Sequence, residues 1–224
     1  MGKAISEVIP FAVVVAISPM AVVAIIVVLF SARARVNSIV FTVGWVVGLA
    51  VVSTVIYLLA DAGDVSSGGS SSDTSYWLKL GVGVLLVLLA FREWRKRPAA
   101  GEEVAQPKWL SAIDTLTPVK AAGLAVVLAA VNPKNLAVTL AAGASLAQAG
   151  VSGGEAAVGL VVFVVIASLG IIVPVVSYYF GGERAAGMLD GWKTRLSRNN
   201  TAVMAAVLLV IGAVLFSQGL RGLT

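Results

Sequence analysis

Residues 126–138 read VVLAAVNPKNLAV, part of an apolar run long enough to cross a bilayer, yet interrupted in its middle by Asn132, Pro133, Lys134 and Asn135. Shifting the chain by 114 positions lays residues 12–24, AVVVAISPMAVVA, over this stretch, so that Ser18-Pro19 falls on Asn132-Pro133. Alanine and valine abound throughout, so part of the match is compositional, and the coincident polar-Pro pair carries the information. Proline lacks the amide hydrogen a helix needs and clashes with the carbonyl four residues earlier, so each pair marks a broken helix. The same shift lays the apolar run 39–60 over the start of the run 156–180. Each half then holds three runs. Three is odd, so the second half enters the membrane from the opposite face, as an inverted repeat.

The composition agrees. Of 224 residues, 59% are hydrophobic and 12% charged, against roughly 25% charged in a soluble domain. Runs near the ~20 residues needed to span a bilayer are Val8–Phe30, Ile39–Ala60, Ser75–Phe91, Ala121–Leu146, Ala156–Phe180 and Thr201–Leu220. In the third, Lys79 is close enough to one end to snorkel, and Tyr76, Trp77 and Trp94 supply interfacial aromatics. The first is too long for a signal-peptide core and lacks a small-residue cleavage site before the arginines, so it reads as a mature helix. The expected fold is an all-α integral membrane protein: six transmembrane helices as a 3+3 inverted repeat, with spans 1 and 4 broken at Pro19 and Pro133. Residues 1–97 form the first three-helix repeat, 98–120 a cytoplasmic connector and 121–224 the second repeat, all in one membrane domain.

Six spans put both termini on one side with the loops around 61–74 and 147–155. Twelve of the sixteen Lys and Arg residues then fall on the other side, in the loops 31–38, 92–120 and 181–200. By the positive-inside rule that side is cytoplasmic and both termini lie outside the cytoplasmic membrane. The Ser/Gly-rich stretch Ser66–Ser72 reads as a flexible external loop. Gly44 and Gly48 form GxxxG in the second span, suited to close packing within the chain or to a homodimer seam.

The breaks carry the chemistry. Pro19 should release the carbonyl of Val15, and Pro133 that of Ala129. Freed backbone groups cannot face lipid, so they must be buried in protein or line a wet cavity. The helical segments starting at Met20 and Lys134 offer amide donors and positive dipole ends, which favours an anionic guest. Lys134 is the one ionisable residue deep in any span, with no acidic residue at matching depth, at a cost of roughly 2.5–3.5 kcal/mol. It can cap released carbonyls, titrate to the neutral amine, or meet a negative group on a substrate. Asn132, Asn135 and Thr139 share a helical face and belong to the same candidate site. Ser53 and Thr54 are weaker candidates, because such hydroxyls commonly bond their own backbone.

A six-span chain with a polar-Pro pair in span one and VNPKN in span four resembles the LysE superfamily of small exporters. Within it, the ISP of the long first helix and the Val/Ala-rich composition look like the actinobacterial Sap/GAP group, the sulfolipid- and glycopeptidolipid-addressing proteins. The resemblance covers nearly the whole chain, and it carries over to Ser18, Pro19, Asn132, Pro133, Lys134 and Asn135. It implies movement of a cell-envelope glycolipid or lipid-linked precursor. Amino-acid exporters of the superfamily tend to have Pro-Gly-Pro in span one, where this chain has Ser18-Pro19-Met20.

The leading reading is therefore a transporter of an anionic lipid or glycolipid through a midplane site between the broken helices. The alternatives are an amino-acid or small-solute exporter and a non-transporting accessory subunit of a large envelope-lipid synthase or exporter. The chain has no Cys and no His, which removes thiolate chemistry and histidine bases, and no span holds an acid, base or metal set, so no enzyme is expected. No GxxxxGK[ST] loop occurs, and no metal, cofactor or nucleic-acid partner is expected; membrane lipids are the surroundings.

Overall fold

A computed structural model of the protein describes residues 1–66, 73–96 and 116–223. Every regular element among them is helical: α1 (Gly2–Ala16), α2 (Pro19–Leu29), α3 (Ala34–Ser66), α4 (Asp73–Arg95), α5 (Pro118–Val126), α6 (Pro133–Gln148), α7 (Gly153–Phe180) and α8 (Gly182–Leu223), with a π-helical turn Val127–Val131 carrying α5 to the second break. The boundaries follow local chemistry. Thr117 caps α5, its hydroxyl oxygen accepting from the Lys120 amide at 3.4 Å. Ser152 caps α7 in a reciprocal box, accepting from the Glu155 amide while the Ser152 amide donates to the Glu155 carboxylate at 3.2 Å. Gly150 and Gly182 take φ of 60° at the turns that precede α7 and α8, where a side chain would be strained.

Burial shows how these helices are solvated. Along α3, Val36, Ile39, Val43, Val47, Val51, Val55 and Leu58 are all exposed, while Phe41, Trp45, Leu49 and Ile56 on the other side are buried. An exposed apolar stripe running the length of a helix is far more than a water-soluble surface carries; it is a lipid-facing one. Exposed valines at Val161, Val165, Val173 and Val176 repeat the pattern on α7.

Among the described residues, three helices are long and apolar enough to cross a membrane: Ala34–Ala62 in α3, Gly153–Phe180, and Thr201–Arg221 in α8. Two bent pairs join them, α1 with α2 and α5 through α6, each bent by 54°, so the count reaches five if each pair is one span. The remaining expected span falls on α4, which is outside that count; its uncharged stretch between Lys79 and Arg92 runs from Leu80 to Phe91, and it packs along α8. Elsewhere α1 packs on α7, and α5 on α3.

Several boundaries differ from the sequence expectation. The second span continues to Ser66, and α5 starts at Pro118, inside the stretch assigned to the connector. Residues 181–200, expected as a loop, are largely the first part of α8, a single helix of 42 residues spanning about 63 Å at 1.5 Å per residue. The reason is amphipathicity: Ala185 and Leu189 are buried and Trp192 and Leu196 half-buried, one or two turns apart, while the charged residues between them look outward. Most of the Ser/Gly stretch 66–72 and of the connector 98–120 lies outside the described residues.

Candidate functional site

At the first break the helix tightens before it stops. The Ser18 amide donates to the Val15 carbonyl at 3.1 Å, three residues back rather than four. That contact occupies the carbonyl that Pro19 was expected to leave free, and it deprives the Val14 carbonyl of its usual donor. The second break loosens instead. There the Asn132 amide reaches five residues back to Val127 at 3.0 Å, the π register. In that register the carbonyl facing Pro133 is Leu128, not Ala129, and the Asn135 side-chain amide donates to it at 2.8 Å. Both corrections have one origin: proline removes a donor, but the neighbouring hydrogen-bond register decides which acceptor loses it.

The orphan at the first break is met from the second. Lys134, 2% exposed, donates from Nζ to the Val14 carbonyl at 3.0 Å. Asn132, half-buried, places its side-chain amide 3.8 Å from Met20 Sδ, a second and weaker tie between the breaks. The two interruptions therefore meet. Of the three roles open to Lys134, the structure displays the capping one, across 120 residues of chain.

The remaining site residues divide into committed and uncommitted groups. Asn132 Oδ1 accepts from the Lys134 amide at 3.1 Å and caps α6, with Pro133 in the first turn. Thr139 donates to the Asn135 carbonyl at 2.7 Å, on its own helix. Pro19 is buried and Pro133 exposed. Ser18 stands at the start of α2 without making a side-chain cap; its hydroxyl is buried and lacks a partner, as do Asn135 Oδ1 and the hydroxyl of Ser168 on α7. Buried polar atoms without partners are rare, and each marks unspent hydrogen-bonding capacity. Ser53 bonds the Ala50 carbonyl at 3.3 Å and Thr54 is exposed, so the second span adds nothing to the site.

Gly44 and Gly48 are used inside the chain. A Cβ on Gly44 would come within 2.9 Å of the Ala122 carbonyl oxygen, and one on Gly48 within 3.3 Å of the Ala129 side chain. The GxxxG face thus holds α5 and the π turn against α3.

A polar clasp escaped the sequence reading. Asn37, fully buried, donates to the Leu116 carbonyl at 3.0 Å, and the hydroxyls of Ser38 and Tyr179 lie 3.0 Å apart. These residues tie the start of α3 to the end of α7 and to the chain entering α5. Asn37 and Ser38 sit where the sequence showed only a short basic loop, and nothing in it signalled a partner.

The family described as Sap, sulfolipid-1-addressing protein, matches residues 8–221, almost the whole chain and both breaks. The chain belongs to that family. No curated protein and no solved structure matches it. The Sap-family assignment agrees with the resemblance read from the VNPKN and ISP segments.

Proposed function

We propose that this Sap-family chain is a transporter that moves an anionic lipid, glycolipid or lipid-linked envelope precursor across the cytoplasmic membrane, using the place where its two broken helices meet. The single observation that carries this reading is the Lys134–Val14 contact at 3.0 Å. It holds a cation beside the start of α2 through a neutral carbonyl, with no carboxylate in the contact. A charged acceptor makes a stronger hydrogen bond to an ammonium than a neutral carbonyl does. A phosphate or sulfate arriving at the break therefore displaces Val14, and the Ser18 hydroxyl and the first amides of α2 stand four residues further along to receive it.

Alternating access requires two halves that rock, and the six-span inverted repeat supplies them in this proposal. Three features support the repeat. The first part of each broken helix packs on the middle helix of the other half, α1 on α7 and α5 on α3. At the α4–α8 seam, a Cβ on Gly83 would lie 2.9 Å from the Gly212 carbonyl oxygen, and a Cβ on Gly212 would lie 2.9 Å from that of Gly83. Reciprocal contact of this kind is what a two-fold relation produces. As to α4, exposed Trp77 and Trp94 stand about 25 Å apart along the helix, close to the ~30 Å hydrocarbon thickness, which supports it as the sixth span.

Reconstitution into liposomes with labelled anionic lipid, and separately with amino acids, tests the reading. The wild-type chain moves lipid, and Lys134→Met slows it by about tenfold or more, the kinetic equivalent of one charged hydrogen bond. Lipid movement unchanged in Lys134→Met rejects the site. Movement of amino acids instead assigns a small-solute exporter, and movement of neither, with co-purification of a large enzyme, assigns the accessory role.

A further inference from the structure

Beside the first break lies an apolar groove. Its volume is about 440 Å³, and Ile17 in the break, α2, α7 and the charged first part of α8 line it, a size within the roughly 300–1,000 Å³ of small-molecule sites. The walls are Ile17, Val22, Leu169 and Val173, with Trp192 and Arg195 contributed by α8. Ile17, Leu169 and Val173 are each more than two-fifths exposed, so the groove opens onto the lipid-facing surface. Its floor is fixed by a close approach: a Cβ on Gly170 would lie 2.1 Å from the Ala16 carbonyl oxygen, so α7 touches the end of α1 there.

The lining tells what fits. A polar solute would find hardly a partner on these walls, whereas an alkyl chain meets apolar surface along their length. Among the described lining residues, Arg195 supplies the one charge. It is exposed and takes part in none of the ion pairs among the described residues, whereas its neighbour Lys193 is paired to Asp190 at 3.1 Å. Lys193 also lies over the Phe30 ring at the end of α2, 6.0 Å from its centre, which puts this part of α8 beside the end of α2 remote from the break. The groove thus runs from the break toward the cation-rich side and has a guanidinium among its walls. Arginine recognises phosphate and sulfate with paired donors, and the half-buried Trp192 beside it suits an interface between headgroup and chain.

We infer that this groove holds one membrane lipid with an anionic headgroup, the headgroup on Arg195 and an acyl chain along Ile17, Val22, Leu169 and Val173. It deepens the transport reading by giving an anionic lipid a lateral way to the break, and it rests on that reading only for the orientation of these helices in a bilayer. Binding here does not require that anything be moved.

The test is native mass spectrometry of the full chain in detergent, titrated with phosphatidylglycerol and, separately, with phosphatidylcholine of the same acyl chains. The wild-type chain retains one phosphatidylglycerol about fivefold or more in preference to phosphatidylcholine. Arg195→Gln removes that preference, Arg195→Lys restores part of it, and Leu169→Trp, which fills the groove from an exposed position, lowers retention while leaving the charge in place. Lys193→Gln leaves retention unchanged. Equal retention of the two lipids by the wild-type chain, or an undiminished preference in Arg195→Gln, overturns the inference. Lipid retention that depends on Arg195 in a chain that moves no lipid in liposomes sustains the groove and removes the transport reading, so the two failures are distinct.

Discussion

At the scale of single residues, Lys134 joins two costs that nearly cancel. A lysine at the centre of a membrane helix costs roughly 2.5–3.5 kcal/mol, and leaving the half-buried Val14 carbonyl without its donor costs about 1–3 kcal/mol. Lys134→Met removes the first penalty and incurs the second. Its thermal midpoint in detergent should therefore stay within about 4 °C of the wild type, equivalent to ~1 kcal/mol for a chain of this size, even as the proposed lipid movement falls. A midpoint lowered well beyond that would make the lysine a structural clamp first. Asn135 differs because its role is tied to a neighbour: it serves the Leu128 carbonyl because Pro133 has no hydrogen to give. Asn135→Leu should destabilise the chain by about 1 kcal/mol or more, and by clearly less in a Pro133→Ala background, where residue 133 regains an amide donor. Strict additivity in that double-mutant cycle would contradict the assignment.

At the scale of elements, packing rests on where backbones come closest. A Cβ on Gly83 would lie 2.6 Å from the Phe216 amide nitrogen, whereas one on Gly81, two residues earlier in the same helix, meets nothing within 4 Å. Gly83→Ala should accordingly cost about 1–3 kcal/mol through overpacking, while Gly81→Ala should be neutral or stabilising by up to about 1 kcal/mol because alanine favours helix. Equal effects, measured by unfolding in detergent, would remove the seam from the account of α4 and α8. The contrast also shows what was legible beforehand. Proline is legible at a distance because its missing hydrogen breaks any helix, so both interruptions, their pairing and the family motifs stood out in the residues. Which acceptor each break orphans was not, since a tightened turn at Ser18 and a π turn before Asn132 shift the loss from Val15 and Ala129 to Val14 and Leu128. The first part of α8 was hidden for a related reason: its charges look like a loop until Ala185, Leu189, Trp192 and Leu196 are seen on one stripe. The groove at Arg195 depends on that helix and was equally invisible.

At the scale of the whole molecule, the central question is which surface each end of the bundle meets. The N-terminal amine pairs with Glu155 at the start of α7, joining the beginning of α1 to the turn between α6 and α7. The Asn37–Leu116 and Ser38–Tyr179 contacts gather the start of α3, the end of α7 and the chain before α5. These two polar clusters involve opposite ends of α7, and the cations Arg33, Arg35, Arg184, Lys193 and Arg195 belong with the second. If the positive-inside rule governs, the Asn37 cluster faces the cytoplasm and the Glu155 pair faces out. The chain has no cysteine, so single-cysteine variants report position without a background. A membrane-impermeant maleimide applied to intact cells should label cysteine at positions 3, 153 and 221, while positions 35, 96 and 184 should label only after the membrane is opened. Position 96 separates the topologies because it follows α4: protected in intact cells together with 35, it requires α4 to cross, and labelled there it reduces the count to five. In that case the second half would no longer be the inverse of the first, and the shared midplane at Lys134 and Val14 would need another explanation than symmetry.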